Sequence, residues 1–121
     1  MANKIKLGIL GSTNGTDLQA IIDAISSGDL KAEVSIVLSN RKNAYILERA
    51  ENHHVPAFYI SHRGKTREEF DSEMTAILKN YNVDLVLLIG FMRILSTGFC
   101  KEWRHKLLNV HPSFLPHYAA R

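Results

Sequence analysis

The chain has 121 residues, 45% of them hydrophobic and 22% charged, which is ordinary for a soluble globular protein and enough for a single domain over 1–121. Fifteen Lys and Arg against twelve Asp and Glu leave a formal charge of +3, with a pI near 9.1. This suits a small anionic substrate, and without like-charge runs or interleaved aromatic and basic residues it speaks against nucleic acid. No apolar stretch reaches membrane-spanning length, the N-terminus lacks a secretory apolar region, and the single Cys100 excludes an internal disulfide, so no membrane partner and a cytoplasmic location are expected.

Residues 5–10 read as a short apolar strand, followed by the turn-forming Gly11-Ser12-Thr13-Asn14-Gly15. Leu18, Ile21, Ile22 and Ile25 recur at helical spacing, and Gly28 ends that helix. A strand over 34–38 stops at Ser39-Asn40-Arg41; a helix over about 44–52 and a strand around 57–60 follow. A longer helix over 67–80 buries Phe70, Met74, Ile77, Leu78 and Tyr81 on one stripe. Residues 83–89 form a nearly continuous apolar strand, the pattern of a strand covered by helices on both faces. The last strand, beginning at Leu107, is expected to be short and buried. Strands alternating with helices predict right-handed crossovers and a doubly wound, Rossmann-like, mostly parallel α/β sheet with helices on both faces. Three polar or glycine-rich segments, 11–17, 90–93 and 109–113, fall at strand carboxyl ends, where such sheets bind ligands.

In the first segment, Asn14 and Gly15 can take positive φ and turn backbone N–H groups inward at a helix start, where a phosphate is stabilised. The same residues also suit a tight turn capped by Thr16 or Asp17 that binds nothing. The lysine of a P-loop and the spacing of a dinucleotide fingerprint are absent, which argues against ATP and NAD. In the second, Phe91, Met92, Ile94 and Leu95 are either plain core or the apolar wall of a pocket for a flat heterocycle. In the third, Asn109 and His111 stand two apart on a strand and share a face, an amide and an imidazole able to polarise a carbonyl and move a proton. Such spacing at a strand end is more often a solvated surface turn. Cys100 is expected to pack near Phe99 and Trp103, and Tyr45, Tyr59, Tyr81 and Trp103 to be packing residues. The adjacent His53-His54 point apart, and no metal-ligand spacing occurs.

Asn109-Val110-His111-Pro112-Ser113-Phe114-Leu115-Pro116 resembles the signature of the folate-dependent formyltransferases, and Gly90-Phe91-Met92-Arg93-Ile94-Leu95 is similar to a second family segment. The glycine turn resembles that of the branch acting on glycinamide ribonucleotide. The resemblance runs from Ile5 to Pro116. It implies formyl transfer from 10-formyltetrahydrofolate, as co-substrate, to the amine of glycinamide ribonucleotide in purine biosynthesis, without a metal. Asn109 and His111 would be catalytic; Asn14, Gly15, Thr16 and Asp17 would hold the ribonucleotide. Arg67, Met92, Arg93, Ile94, Leu95 and Asn109 would meet the folate.

The family often has Gly where Thr13 stands and Asn where Asp17 stands. A carboxylate beside a phosphate is unfavourable, so Asp17 is expected to cap the helix or meet the substrate's amino end. Arg67 also fits a solvated residue in a first helical turn. Family members continue past the Leu-Pro motif and carry there an aspartate that pairs with the histidine. The 121 residues are therefore expected to be a truncated form or the ordered part of a longer chain, with little activity as an isolated form. The strand carrying Asn109 would then be a sheet edge, open to pairing and to a homodimer. Alternatives are methionyl-tRNA formyltransferase, formyltetrahydrofolate deformylase, or a non-catalytic module that binds nucleotide or folate.

Overall fold

A computed structural model describes residues 4–110, which form a five-stranded sheet flanked by four helices. In chain order the elements are β1 (Ile5–Gly11), α1 (Thr16–Ser26), β2 (Ala32–Ser39), α2 (Tyr45–Asn52), β3 (Ala57–Tyr59), α3 (Arg67–Asn80), β4 (Leu85–Ile89), α4 (Thr97–Glu102) and β5 (Leu107–Val110). All neighbouring strands are parallel, in the order β3-β2-β1-β4-β5. The chain winds outward from β1 through β2 to β3, crosses back with α3, and continues through β4 to β5. Strand order therefore reverses between β1 and β4, and the doubly wound arrangement expected from the alternating pattern is present.

Side chains alternate across each strand, so the sheet separates two apolar clusters. Leu7, Ile9, Leu87 and Ile89 meet Leu18 and Ile22 of α1 and Ile46 and Ala50 of α2. Leu10, Ile36, Leu38 and Val86 meet Phe70, Met74 and Leu78 of α3, Phe99 of α4 and Trp103 at its C-cap. β2 changes phase midway. Leu7 pairs with Val34 but Gly8 with Ile36, leaving Ser35 as an extra residue, so Val34 and Val37 face the same cluster three residues apart. Gly8 allows α3 to approach, because a Cβ there would lie 2.7 Å from Leu78 Cδ2 and 2.9 Å from Val83 Cγ2. β1 and β4 are also tied at their amino ends, where Lys6 N–H donates to Asp84 Oδ2 and Asp84 N–H to Lys6 O.

Several expectations need correction. β5, expected to be buried, is not, with Leu108 55% exposed; among the described residues it stands at the sheet edge, as expected for the strand carrying Asn109. Two leucines and a valine around Asn109 do not reveal which face of so short a strand is covered. α4 spans only six residues, too few for a periodic pattern, so its bounds were not read from the sequence. Cys100 is exposed on it while Phe99 and Trp103 take the buried positions. Trp103 is buried and Tyr81 half-buried, but Tyr45 and Tyr59 are exposed. No helix among the described residues is long and apolar enough to cross a membrane.

Candidate active site

The carboxyl ends of β1, β4 and β5 enclose a cavity of about 450 Å³ at the point where strand order reverses. Its wall is built from the three segments singled out by sequence: Thr13 to Asp17 after β1, Gly90 to Met92 after β4, and Asn109 with Val110 at the end of β5. A cavity of this size accommodates a small-molecule ligand.

The first wall is the glycine turn. Gly15 occupies the N-cap of α1 at φ 71, with no side-chain cap hydrogen bond. Neither Thr16 nor Asp17 caps the helix; they are its first two residues, and Asp17 is half-buried in the cavity wall. Asn14 does not adopt positive φ, so Gly15 alone makes the left-handed step. The first intrahelical bond runs from Gln19 N–H to Gly15 O, which leaves the N–H groups of the first turn without intrahelical acceptors. α2 holds the turn from behind: Ile46 N–H donates to Thr13 O at 3.0 Å, and Arg49 Nε to Asn14 O at 2.9 Å. The turn's carbonyls are thus engaged while its first-turn donors stay available, a polarity that favours an anion.

The second wall follows β4. The segment after it alternates. Phe91 and Leu95 pack against the α3–α4 cluster, whereas Met92 is 61% and Ile94 73% exposed, so neither of the latter two is core. Of the four expected folate-facing residues here, the structure brings Met92 to the cavity and leaves Arg93, Ile94 and Leu95 outside its lining. Arg93 instead lays its guanidinium over the Phe70 ring, 4.7 Å from the centroid, and its buried Nε has no partner among the described residues. Arg67 opens α3, exposed and away from the cavity lining.

Asn109 completes the wall. It pairs in register with Leu88 and is exposed at the strand tip, facing the cavity. His111 lies outside the described residues, and with it the expectation that the two share a face.

Sequence reasoning missed two buried polar residues under this rim. Ser12 Oγ donates to Asn40 Oδ1 at 2.5 Å and accepts from Met92 N–H at 2.8 Å, while Ser12 N–H donates to Gly90 O at 3.2 Å. The only signal was their position, a serine and an asparagine each at the end of an apolar strand. Among the described residues no group of three or more His, Cys, Asp or Glu could hold a metal ion. His53 meets Gln19 across α1 and α2, and His54 turns away at φ 61.

The sequence profile described as formyl transferase matches residues 5–120. The chain is 41% identical over 115 residues to phosphoribosylglycinamide formyltransferase of Haemophilus influenzae, covering 94% of this chain and 54% of that protein. It is 44% identical over 116 residues to the trifunctional purine biosynthetic protein adenosine-3 of Drosophila melanogaster, covering 93% of this chain and 9% of that one. The crystal structure of glycinamide ribonucleotide transformylase 1 from Symbiobacterium toebii superposes with a TM-score of 0.88 at 38% identity, over 96% of this chain and 55% of that chain. The chain thus spans about half the length of the single-function relatives it matches, and about a tenth of the trifunctional one.

Proposed function

The chain belongs to the formyl transferase family, and from that premise we propose that it serves the transfer of a formyl group from 10-formyltetrahydrofolate to the primary amine of glycinamide ribonucleotide, in purine biosynthesis. The observation that carries this reading is the convergence of three strand-end segments on one cavity at the reversal of strand order. One wall offers anion-favouring donors and the opposite wall an exposed apolar side chain with backbone groups. A phosphorylated amine and a flat heterocycle would be held facing each other there.

In this reading the turn at Asn14, Gly15 and Thr16 holds the ribonucleotide, with its phosphate drawn to the first-turn N–H groups of α1. Asp17, which caps nothing, meets the amino end and favours its approach. Met92 supplies the folate wall inside the cavity; Arg93, Ile94, Leu95 and Arg67, which lie outside its lining, meet the folate only where the ligand extends beyond the cavity. The amine nitrogen bonds to the formyl carbon, the carbonyl oxygen gains charge, and the bond to the folate nitrogen then breaks. The Asn109 amide donates to that oxygen, a contribution of roughly 3 kcal/mol in comparable sites. His111 takes the proton that the amine loses and returns one to the departing folate nitrogen. No covalent enzyme intermediate is required.

Calorimetry with glycinamide ribonucleotide and a formyl-transfer assay on the same preparation test the reading. Saturable binding is expected, and its absence overturns the substrate assignment. Turnover is expected to fall about 10²–10³-fold in Asn109→Ala with ribonucleotide binding nearly unchanged, and to vanish in His111→Ala. Full turnover in either variant removes that residue from the mechanism. Binding with no turnover by a protein that also carries the later family segment selects a nucleotide-binding module over an enzyme.

A further inference from the structure

Beneath the cavity, Ser12 is 2% exposed and absent from its lining, yet it touches both sides of it. A serine hydroxyl has one proton and two lone pairs. Its proton goes to Asn40 Oδ1, so a lone pair is what faces Met92 N–H. The bond crosses 80 positions of sequence, from the end of β1 to the exposed residue of the second wall. Next to it, Gly90 stands at φ 59 against Thr13, where a Cβ would lie 2.6 Å from Thr13 Oγ1. The strand ends have a second tie that needs no side chain, Ser12 N–H to Gly90 O. The backbone bond can therefore keep β1 and β4 in register without the hydroxyl. What the hydroxyl adds is a fixed position for Met92.

We propose that Ser12 is a positioning residue, oriented by Asn40, that sets the Met92 wall at a fixed distance from the glycine turn and so aligns the two substrates. This rests on the reading above, in which the folate lies against Met92 and the ribonucleotide against the turn. The two partners are unequal. Ser12→Ala leaves the Met92 N–H and Asn40 Oδ1 with nothing to pair with, and the Met92 loop relaxes. Asn40→Ala removes only the group that orients the hydroxyl, which can still rotate to accept from Met92. The effect of Asn40 therefore passes through Ser12, and the two substitutions should not add.

The test combines amide hydrogen exchange at Met92, followed by NMR, with calorimetry using 5-formyltetrahydrofolate, a stable isomer of the donor, and glycinamide ribonucleotide. In Ser12→Ala, Met92 exchange should quicken about tenfold or more and the folate dissociation constant rise about tenfold, the worth of one part-buried hydrogen bond. Ribonucleotide binding should change by less than about threefold, since the glycine turn keeps its backbone ties. Asn40→Ala should give a smaller change in the same direction, and the double variant should match Ser12→Ala alone. Equal weakening of both ligands, an unchanged Met92 amide, or additive effects would each overturn the positioning role. Should Ser12→Ala not fold, Asn40→Ala must still quicken Met92 exchange and weaken the folate selectively. If the unaltered protein binds neither ligand, the functional reading falls and the alignment role with it, while Met92 exchange reports whether the hydrogen bond itself exists.

Discussion

Gly15 is held to glycine by two separate constraints. Its φ of 71 lies where a Cβ is unfavourable, and a Cβ built there would overlap Ile46, lying 2.8 Å from the Ile46 Cβ. Gly28 has a similar backbone, φ 86, with nothing within 4 Å of the same position. Gly28→Ala should therefore cost only backbone strain, about 1–2 kcal/mol. Gly15→Ala should cost that plus about 1–3 kcal/mol of overpacking against α2, and should weaken ribonucleotide binding as the turn shifts. Urea unfolding midpoints of the two variants separate the terms; equal losses would show that the Ile46 contact is not felt. The backbone requirement at Gly15 was legible in the sequence, because a glycine at a strand-to-helix turn is a local signal. The contact with Ile46 was not, since it depends on how α2 lands on the turn. For the same reason Asn14 was wrongly credited with positive φ: two residues were suited to the left-handed step, and only the one under α2 takes it.

α3 shows how far local chemistry fixes an element. Its bounds at 67–80 were read from the apolar stripe, and the structure adds the reason it starts where it does. Thr66 accepts from Glu69 N–H at 3.0 Å while Glu69 Oε1 accepts from Thr66 N–H at 2.7 Å, a reciprocal capping box. Thr66→Ala should lower stability by about 1 kcal/mol. α4, by contrast, depends on a neighbour. Asp71, buried within α3, accepts from Ser96 N–H at 2.6 Å, and Ser96 Oγ in turn caps α4 through Phe99 N–H. Replacing Asp71 with Ala strands a buried N–H at the head of α4 and should cost about 1–3 kcal/mol. Circular dichroism during thermal unfolding measures both variants. The comparison is decisive if Asp71→Ala costs no more than Thr66→Ala, because α4 would then stand without its tether to α3. A six-residue helix positioned by a buried carboxylate leaves no periodic trace, which is why its bounds could not be read from the sequence pattern.

At the scale of the molecule, the sheet sets which residues can meet. Parallel strands put all carboxyl ends on one rim, and that much followed from the alternation of strands and helices, which places the three polar segments on that rim. That β1 lies at the centre with the reversal between it and β4 depends on the crossover of α3, which the alternation alone did not fix. The same sheet isolates the two apolar clusters. Ile46 belongs to α2 in one, and Ile36 faces α3 in the other, both fully buried. Ile46→Val and Ile36→Val should each cost about 0.5–1.5 kcal/mol. Their pair should equal the sum within about 0.5 kcal/mol, because a strand layer stands between them and they share no side-chain neighbour. Ile46 also backs the glycine turn with its side chain, whose Cδ1, the atom that Ile46→Val removes, lies against Gly11 and Gly15, whereas Ile36 is absent from the cavity lining. The pair should thus add in unfolding free energy while only Ile46→Val alters ribonucleotide affinity. Denaturant titration and calorimetry on the two single variants and the double read both quantities, and a coupling above about 1 kcal/mol would mean that the sheet transmits strain between its faces instead of separating them.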